Sequence, residues 1–401
     1  MIRLKWTQAW CCVILCVMCM SLLLVNPVCG VPVKKLINKP VVVPVGPSRV
    51  TADAAVLMDV ATGDILVSKQ AHKRRPPAST TKIMTAILGF ELGRPDEVVT
   101  VSQKAADVGE ATIYLDPGEK ITLYELITGA LVRSGNDACV AIAEHIAGSE
   151  EQFIKIMNRK ALALGAQNTN FMNTNGLPRK EHYSTAYDLA VMARYGLQIP
   201  QFVSITRLKE TEIHFIEPDV FMDVRNTNKL LWNYPYADGV KTGTTTAAGK
   251  CLVASATKEG RQLLVVVLNA PDRFGDAKKL LEWGFQHTET VRLADVGQVI
   301  AEFPHVTKPI QVLTTDPLDV SIPKAEREKL ITRIEWEKPT NLPIRAGERL
   351  GRFEVWLGEQ RLNSVSLVSE NEVVENRSLK RLFPFLVLPE SINLRYILQE
   401  E

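Results

Sequence analysis

The spacing of apolar residues along this chain changes from a period near two to one near three and a half and back again. Two strand-like runs, Ala54 to Val60 and Ile65 to Lys69, flank the turn residues Ala61-Thr62-Gly63-Asp64, which predicts a β-hairpin. Pro76-Pro77 ends this extended stretch. From Ser79 to Leu92 the apolar residues Ile83, Met84, Ile87, Leu88 and Leu92 recur at helical spacing, so Ser79 falls at a helix N-terminus. The same periodicity predicts helices over Leu123 to Arg133, Asp137 to Ala147, Glu151 to Leu164 and Thr185 to Tyr195. After Pro200 strand-like runs return at Gly239 to Thr244, Lys250 to Thr257 and Gln262 to Asn269, followed by a helix over Gly275 to His287. This order predicts an α+β fold in which an antiparallel sheet is flanked by helices. Beyond Val291 the runs are short, β-branched and broken by Pro and Gly. Those at Val299 to Phe303, Ile310 to Thr314, Ile331 to Trp336, Arg349 to Leu357 and Asn363 to Val368 predict a second, smaller all-β domain.

The N-terminus follows a different rule. Arg3 and Lys5 precede an uncharged apolar stretch centred on Cys12 to Val25, then Asn26-Pro27 and small residues around Gly30. That is the order of a secretory signal peptide, and the break at Pro27 favours cleavage over an uncleaved anchor. The expected organisation is a signal peptide at 1–30, a Val- and Pro-rich linker at 31–50, a main domain at 51–290, the all-β domain at 291–378 and a tail at 379–401. The tail holds Leu382-Phe383-Pro384-Phe385-Leu386-Val387-Leu388-Pro389, whose prolines argue against an amphipathic membrane helix. Membrane association through either terminus stays open.

Charge and cysteine content narrow the function classes. Lys and Arg total 47 against 45 Asp and Glu, a balance that points away from nucleic acid. Five of the seven cysteines (Cys11, Cys12, Cys16, Cys19 and Cys29) lie in the export segment, leaving Cys139 and Cys251, expected as buried thiols. The six histidines are scattered without zinc-ligand spacing, and neither a phosphate loop nor a cofactor fingerprint is visible, so no cofactor and no metal is expected.

Three short elements carry candidate chemistry. Ser79-Thr80-Thr81-Lys82 sets a hydroxyl and an amine three residues apart at a helix start, where they share a face. The same spacing at Ser255 to Lys258 and Ser321 to Lys324 serves as a control: the first reads as mid-strand and Pro323 interrupts the second. Ser134-Gly135-Asn136 lies in a tight break between two apolar helices, and Lys241-Thr242-Gly243-Thr244 ends a strand-like run. An amide-cleaving site needs a nucleophile, a proton acceptor that becomes a donor, and dipoles for the oxyanion. Ser79 supplies the first. Lys82 is the candidate base, with burial and the second cation Lys241 expected to destabilise its charged form. Ser134 can relay a proton to the leaving amine, Asn136 can hold the substrate amide, and the backbone N–H groups of Ser79 and Thr244 are the expected oxyanion donors. Lys241, Thr242 and Thr244 offer partners for a substrate carboxylate, and strand Lys241 to Thr244 for an extended peptide.

Together these elements resemble the active-site set of penicillin-binding proteins and class A β-lactamases, a set that is itself a standard motif example. The wider stretches Pro77 to Thr85, Ser134 to Val140 and Asp238 to Thr244 are similar to the D-alanyl-D-alanine carboxypeptidases of low molecular mass. The resemblance implies a β-lactamase/transpeptidase-like fold, removal of the terminal D-alanine from peptidoglycan stem peptides through an acyl-enzyme on Ser79, and inhibition by β-lactam antibiotics. It further implies that Arg225 reaches the same cleft. A D,D-endopeptidase uses the same groups, and so does a β-lactamase, which would need an activating glutamate. Between Asn168 and Tyr183 only Glu181 is acidic. A non-catalytic wall-binding scaffold is the alternative of another class.

Overall fold

Three strands of the main domain, Ala54–Asp59, Gly249–Lys258 and Arg261–Leu268, are buried along most of their length because both faces of their sheet are covered. The computed structural model describes residues 50–303, 310–337 and 343–372. The expected signal segment, nearly all of the linker and the tail from 379 lie outside the described residues.

The chain opens with the hairpin β1 (Ala54–Asp59) and β2 (Ile65–Lys69). A 3₁₀ turn over Ala78–Thr81 leads into α1 (Lys82–Leu92). Next come β3 (Val98–Thr100), α2 (Gln103–Ala106), β4 (Lys120–Thr122), α3 (Leu123–Val132), α4 (Asn136–Ala147) and α5 (Glu150–Leu164). After α6 (Ala186–Gly196) and α7 (Pro200–Thr206), the hairpin β5 (Glu210–Glu217) and β6 (Val220–Arg225) precedes a short α8 (Leu230–Asn233). The meander β7 (Ala237–Thr245), β8 (Gly249–Lys258) and β9 (Arg261–Leu268) then runs into α9 (Arg273–His287).

These strands form a five-stranded antiparallel sheet in the order β2-β1-β9-β8-β7, which leaves β7 as an edge. Its two faces belong to different cores. Ala54, Val56, Val253, Leu264 and Val266 pack with the helical block, whereas Ala55, Leu57, Leu252, Leu263 and Val265 pack with Leu280 and Leu281 of α9. The fold is therefore a sheet between helices, as the alternation of element types predicts.

Sequence periodicity did not reveal a second sheet in this region, four strands ordered β3-β4-β5-β6. Strands β3 and β4 are only three residues long, and β6 buries one residue in six, so neither produces a readable run.

Strand β10 (Thr288–Ala294) continues directly from α9, followed by β11 (Val299–Phe303), β12 (Ile310–Thr314), β13 (Leu318–Pro323), β14 (Leu330–Trp336), β15 (Arg349–Leu357) and β16 (Gln360–Ser369). Strands β10 and β13 pair with each other, and the rest form a sheet ordered β11-β12-β16-β15-β14 around a separate core with Val312, Val320, Leu350, Val355 and Leu367. Buried polar contacts tie this all-β region to the end of β1 and the turn after it. Asp59 accepts from Arg261 at 2.8 Å and from Thr290 at 2.7 Å, and the Ser321 N–H donates to Asp64 at 2.9 Å. Among the described residues, no helix is long and apolar enough to cross a membrane.

Candidate active site

Ser79 is the partly exposed residue in an otherwise buried run from Pro77 to Gly89. Ala78 turns the chain with φ +49°, a left-handed conformation that is costly for a residue with a Cβ and that persists only when its surroundings enforce it. Two hydroxyls brace the turn: Thr80 donates to the Pro77 carbonyl at 2.7 Å and Thr81 to that of Ala78 at 2.8 Å. As the second residue of the turn, Ser79 has a backbone N–H with no intrahelical acceptor.

Lys82 opens α1 one turn later and is fully buried. Its Nζ donates to Ser79 Oγ at 3.1 Å, to Asn136 Oδ1 at 2.7 Å and to the Asn175 carbonyl at 2.7 Å. A neutral amine has two N–H groups and one lone pair. With the Asn136 and Asn175 oxygens taking the two N–H groups, the lone pair is left facing the Ser79 hydroxyl. Burial lowers Lys82 from the usual lysine range to about 8.

Lys241 is also buried, and among the described residues its Nζ donates only to the Thr242 carbonyl, at 3.3 Å. Burial, and then the charge of Lys82, holds it well below its ordinary range. Lys82 has three hydrogen-bond acceptors around its amine and Lys241 one, so the charged form of Lys241 is the less supported of the two.

The second motif arrives through the break between α3 and α4. Ser134 takes φ +74°, is buried, and its hydroxyl has no hydrogen-bond partner among the described residues. Asn136 donates from Nδ2 to the Gly109 carbonyl at 2.9 Å while its Oδ1 serves Lys82. Asp137 accepts from the N–H groups of Ile113, Leu115 and Ala138, which fastens the 109–115 loop over this end of the cleft. Cys139, beneath them, donates to the Gly135 carbonyl, and burial pushes its thiol up to about 12. Both cysteines are free and buried, as expected from composition.

Strand β7 brings the third motif against the nucleophile. A methyl group at Gly243 would stand 2.9 Å from the Ser79 nitrogen and 3.0 Å from both Ala78 Cβ and the Pro77 oxygen. Those are backbone and short-side-chain atoms that cannot swing aside. Gly243→Ala is therefore expected to part β7 from the serine turn, lowering stability by about 1–3 kcal/mol and the acylation rate by about 10²-fold. Thermal denaturation and β-lactam acylation kinetics check the two effects.

Arg225 is not brought into this group. It lies in register with Glu210 on the β5–β6 hairpin, its side chain 72% exposed, 3.2 Å from the Glu210 carboxylate and over the Trp232 ring. Strand alternation gives the reason: Val224 and Asn226 turn inward, so Arg225 turns out. The residue of this segment that reaches the third motif is Thr227, whose hydroxyl lies 2.6 Å from that of Thr242.

Three further participants carried no sequence signal that singled them out. Arg273, at the start of α9, donates to Thr244 Oγ1 at 2.8 Å and to the Gly243 carbonyl at 2.9 Å. Asn175 contributes a backbone oxygen from a loop held by its own side chains: Asn173 accepts from Gly176 N–H at 2.7 Å and Asn175 Oδ1 from Leu177 N–H at 3.0 Å. His182 accepts from Met172 N–H at Nδ1 (3.0 Å), which assigns its hydrogen to Nε2, 2.9 Å from Thr81 Oγ1. Through Thr81 the ring supports the carbonyl of Ala78, and burial lowers it to about 4, so it stays neutral. The control serine Ser255 is buried mid-strand in β8 and donates to Asp238, not to Lys258.

The chain is similar to known proteins over most of its length. Residues 41–272 match the family model described as D-alanyl-D-alanine carboxypeptidase, and residues 289–375 match that of the penicillin-binding protein 5 C-terminal domain. The D-alanyl-D-alanine carboxypeptidase DacF of Bacillus subtilis is 38% identical over 315 residues, which cover 75% of this chain and 80% of that protein. DacD of Escherichia coli is 33% identical over 359 residues, 84% of this chain and 90% of its own. The crystal structure of penicillin-binding protein 5 from Haemophilus influenzae superposes with a TM-score of 0.74 at 31% identity, covering 82% of this chain and all of that one.

Proposed function

This chain belongs to the D-alanyl-D-alanine carboxypeptidase family and is a serine-type peptidase, and from that premise we propose how its residues divide the reaction. Ser79 Oγ attacks the carbonyl of the penultimate D-alanine of a stem peptide and passes its proton to Lys82 Nζ. The backbone N–H groups of Ser79 and Thr244 hold the oxyanion as charge develops. The Ser134 hydroxyl hands a proton to the departing D-alanine nitrogen and is reprotonated from Lys82, which leaves an ester on Ser79 and a neutral amine. Water attacks that ester by the reverse proton path, releasing the shortened peptide. Asn136 keeps Lys82 aimed, with one amide hydrogen left for the substrate.

The departing residue carries a free carboxylate. Thr242, Thr244 and the buried amine of Lys241 receive it, and Arg273 takes the role that the family resemblance suggested for Arg225. The supporting contact is the hydrogen bond from Arg273 to Thr244 Oγ1. Cross-linked wall lies outside the cytoplasmic membrane, so this function requires export, for which residues 1–30 are suited.

The observation that carries the reading is the placement of the Lys82 amine 3.1 Å from the Ser79 hydroxyl with its remaining hydrogens already engaged. Mass spectrometry of the penicillin-treated protein tests it, with the adduct expected on the peptide containing Ser79. That adduct should persist for minutes or longer. Among the described residues no carboxylate hydrogen-bonds Ser79, Lys82 or Ser134, so none is poised to activate a second water as a β-lactamase requires. Turnover of penicillin within about a second would instead favour the β-lactamase reading.

A further inference from the structure

We infer that His182 is a positioning residue for acylation: its Nε2–H, acting through the Thr81 hydroxyl and the Ala78 carbonyl, fixes the direction of the Ser79 N–H that receives the oxyanion. The inference rests on the acyl-serine reading above and adds to it a residue that none of the three motifs contains.

A planar trans peptide points its carbonyl and its N–H in opposite directions. The carbonyl of Ala78 and the N–H of Ser79 belong to one such unit, so whatever holds the first aims the second. That unit needs holding, because Ala78 has φ +49° and a left-handed residue with a Cβ keeps its conformation only where its surroundings enforce it. The Thr81 hydroxyl donates to the Ala78 carbonyl at 2.8 Å, and Thr81 Oγ1 lies in turn 2.9 Å from His182 Nε2. A hydroxyl has one hydrogen to give. With that hydrogen on the carbonyl, the ring is the donor to Oγ1.

A second contact requires the same tautomer. Met172 N–H donates to His182 Nδ1 at 3.0 Å, which leaves the ring hydrogen on Nε2. His182 is 4% exposed and packs against the Phe171 ring in an edge-on arrangement, so the imidazole is held in place from several sides. Backbone bonds grip the other end of the serine turn: Arg75 N–H donates to the Ser184 carbonyl at 2.8 Å, and Ser184 N–H to that of Arg75 at 2.9 Å. Residues 182–184 therefore clasp the 75–81 stretch at both ends. Gly176 backs the Ala78 carbonyl so closely that a Cβ there would stand 1.9 Å from its oxygen. Within this clasp the link from His182 to Thr81 is made by side chains, which lets substitution test it.

The experiment measures kcat and KM for D-alanine release, and the rate of penicillin acylation, in substituted forms of the full chain. His182→Phe removes the link and is expected to lower kcat and the acylation rate by about 10- to 10²-fold with KM little changed, a part of what an oxyanion donor contributes. Glutamine carries an N–H donor as many bonds from Cβ as Nε2, and asparagine an acceptor oxygen as many as Nδ1. His182→Gln should therefore recover to within about threefold of the parent, whereas His182→Asn, which keeps the Met172 contact and loses the one to Thr81, should stay as slow as His182→Phe. Thr81→Val is expected to match His182→Phe, and the double substitution to be no slower than either alone, because both cut one chain of contacts. Recovery by asparagine and not by glutamine would show that the ring merely ties its own loop together, and it overturns the positioning role. Losses that multiply in the double protein, or a parent-like rate in His182→Phe, overturn it equally. Should His182→Phe not fold, the glutamine and asparagine proteins decide between the same two outcomes. Absence of a penicillin adduct on Ser79 in the parent protein overturns the acyl-serine reading and the role of His182 with it.

Discussion

Ser79→Ala is expected to lose both D-alanine release and covalent labelling by penicillin, with turnover falling by about 10⁴-fold or more. The physical reason is that no second hydroxyl can take over the attack. Ser134 is held on a different element, in a backbone conformation with φ +74° that faces it toward the leaving-group side of the proposed path. The fold should barely register the change. Among the described residues Ser79 Oγ serves Lys82 alone, and the Asn136 and Asn175 oxygens still anchor that amine, so stability is expected to stay within about 1 kcal/mol of the parent. Stopped-assay release of D-alanine, gel labelling with a fluorescent penicillin and a thermal melt together check this. Full-rate release by the alanine protein would remove the acyl-serine mechanism.

Lys82→Gln carries the next largest effect. Glutamine keeps a donor for Asn136 or Asn175 but has no basic nitrogen, so acylation should slow by about 10²- to 10⁴-fold, the range for losing a positioned general base. The pH profile of the parent protein identifies the same group. Only the neutral amine accepts the serine proton, and burial lowers Lys82 to about 8. Below that pH the acylation rate should rise about tenfold per unit as the neutral fraction grows, and level off above it. His182 is lowered to about 4 and remains neutral throughout, so a limb near pH 6 to 7 is not expected from it. Acylation kinetics between about pH 5 and 10 in the parent and glutamine proteins measure both effects. A flat profile in the parent would show that Lys82 does not take the proton.

The motifs were legible because their chemistry is local. A hydroxyl and an amine three residues apart meet only if the segment is helical, and the apolar periodicity after Ser79 already specified a helix. The helices α3 to α6 were legible for the same reason, since each shows its buried face as a period, and β8 and β9 were legible as apolar runs bounded by turn residues. Strands β3, β4 and β6 were not, because β3 and β4 are three residues long and β6 buries one residue in six, and β10 opens on the polar run Thr288-Glu289-Thr290. Arg225 illustrates a different limit. The family resemblance implies that Arg225 reaches the cleft, but whether it does depends on strand register, and register turned it toward Glu210 and brought Thr227 forward instead. Asn175 acts through a backbone carbonyl, which every residue possesses, so nothing in its identity could announce it.

What the amino-acid order determined by itself is the class of chemistry, an acylated serine with a lysine partner, and the elements that carry it, because periodicity and helix-start spacing are short-range properties. Tertiary packing decided how many acceptors surround each of the two lysines, which side chains of the 225–228 segment and of α9 face the cleft, and which loop carbonyl steadies the base. Those outcomes depend on burial and on acceptors supplied by stretches up to about ninety residues away, and proximity of that kind exists only after the chain has closed on itself.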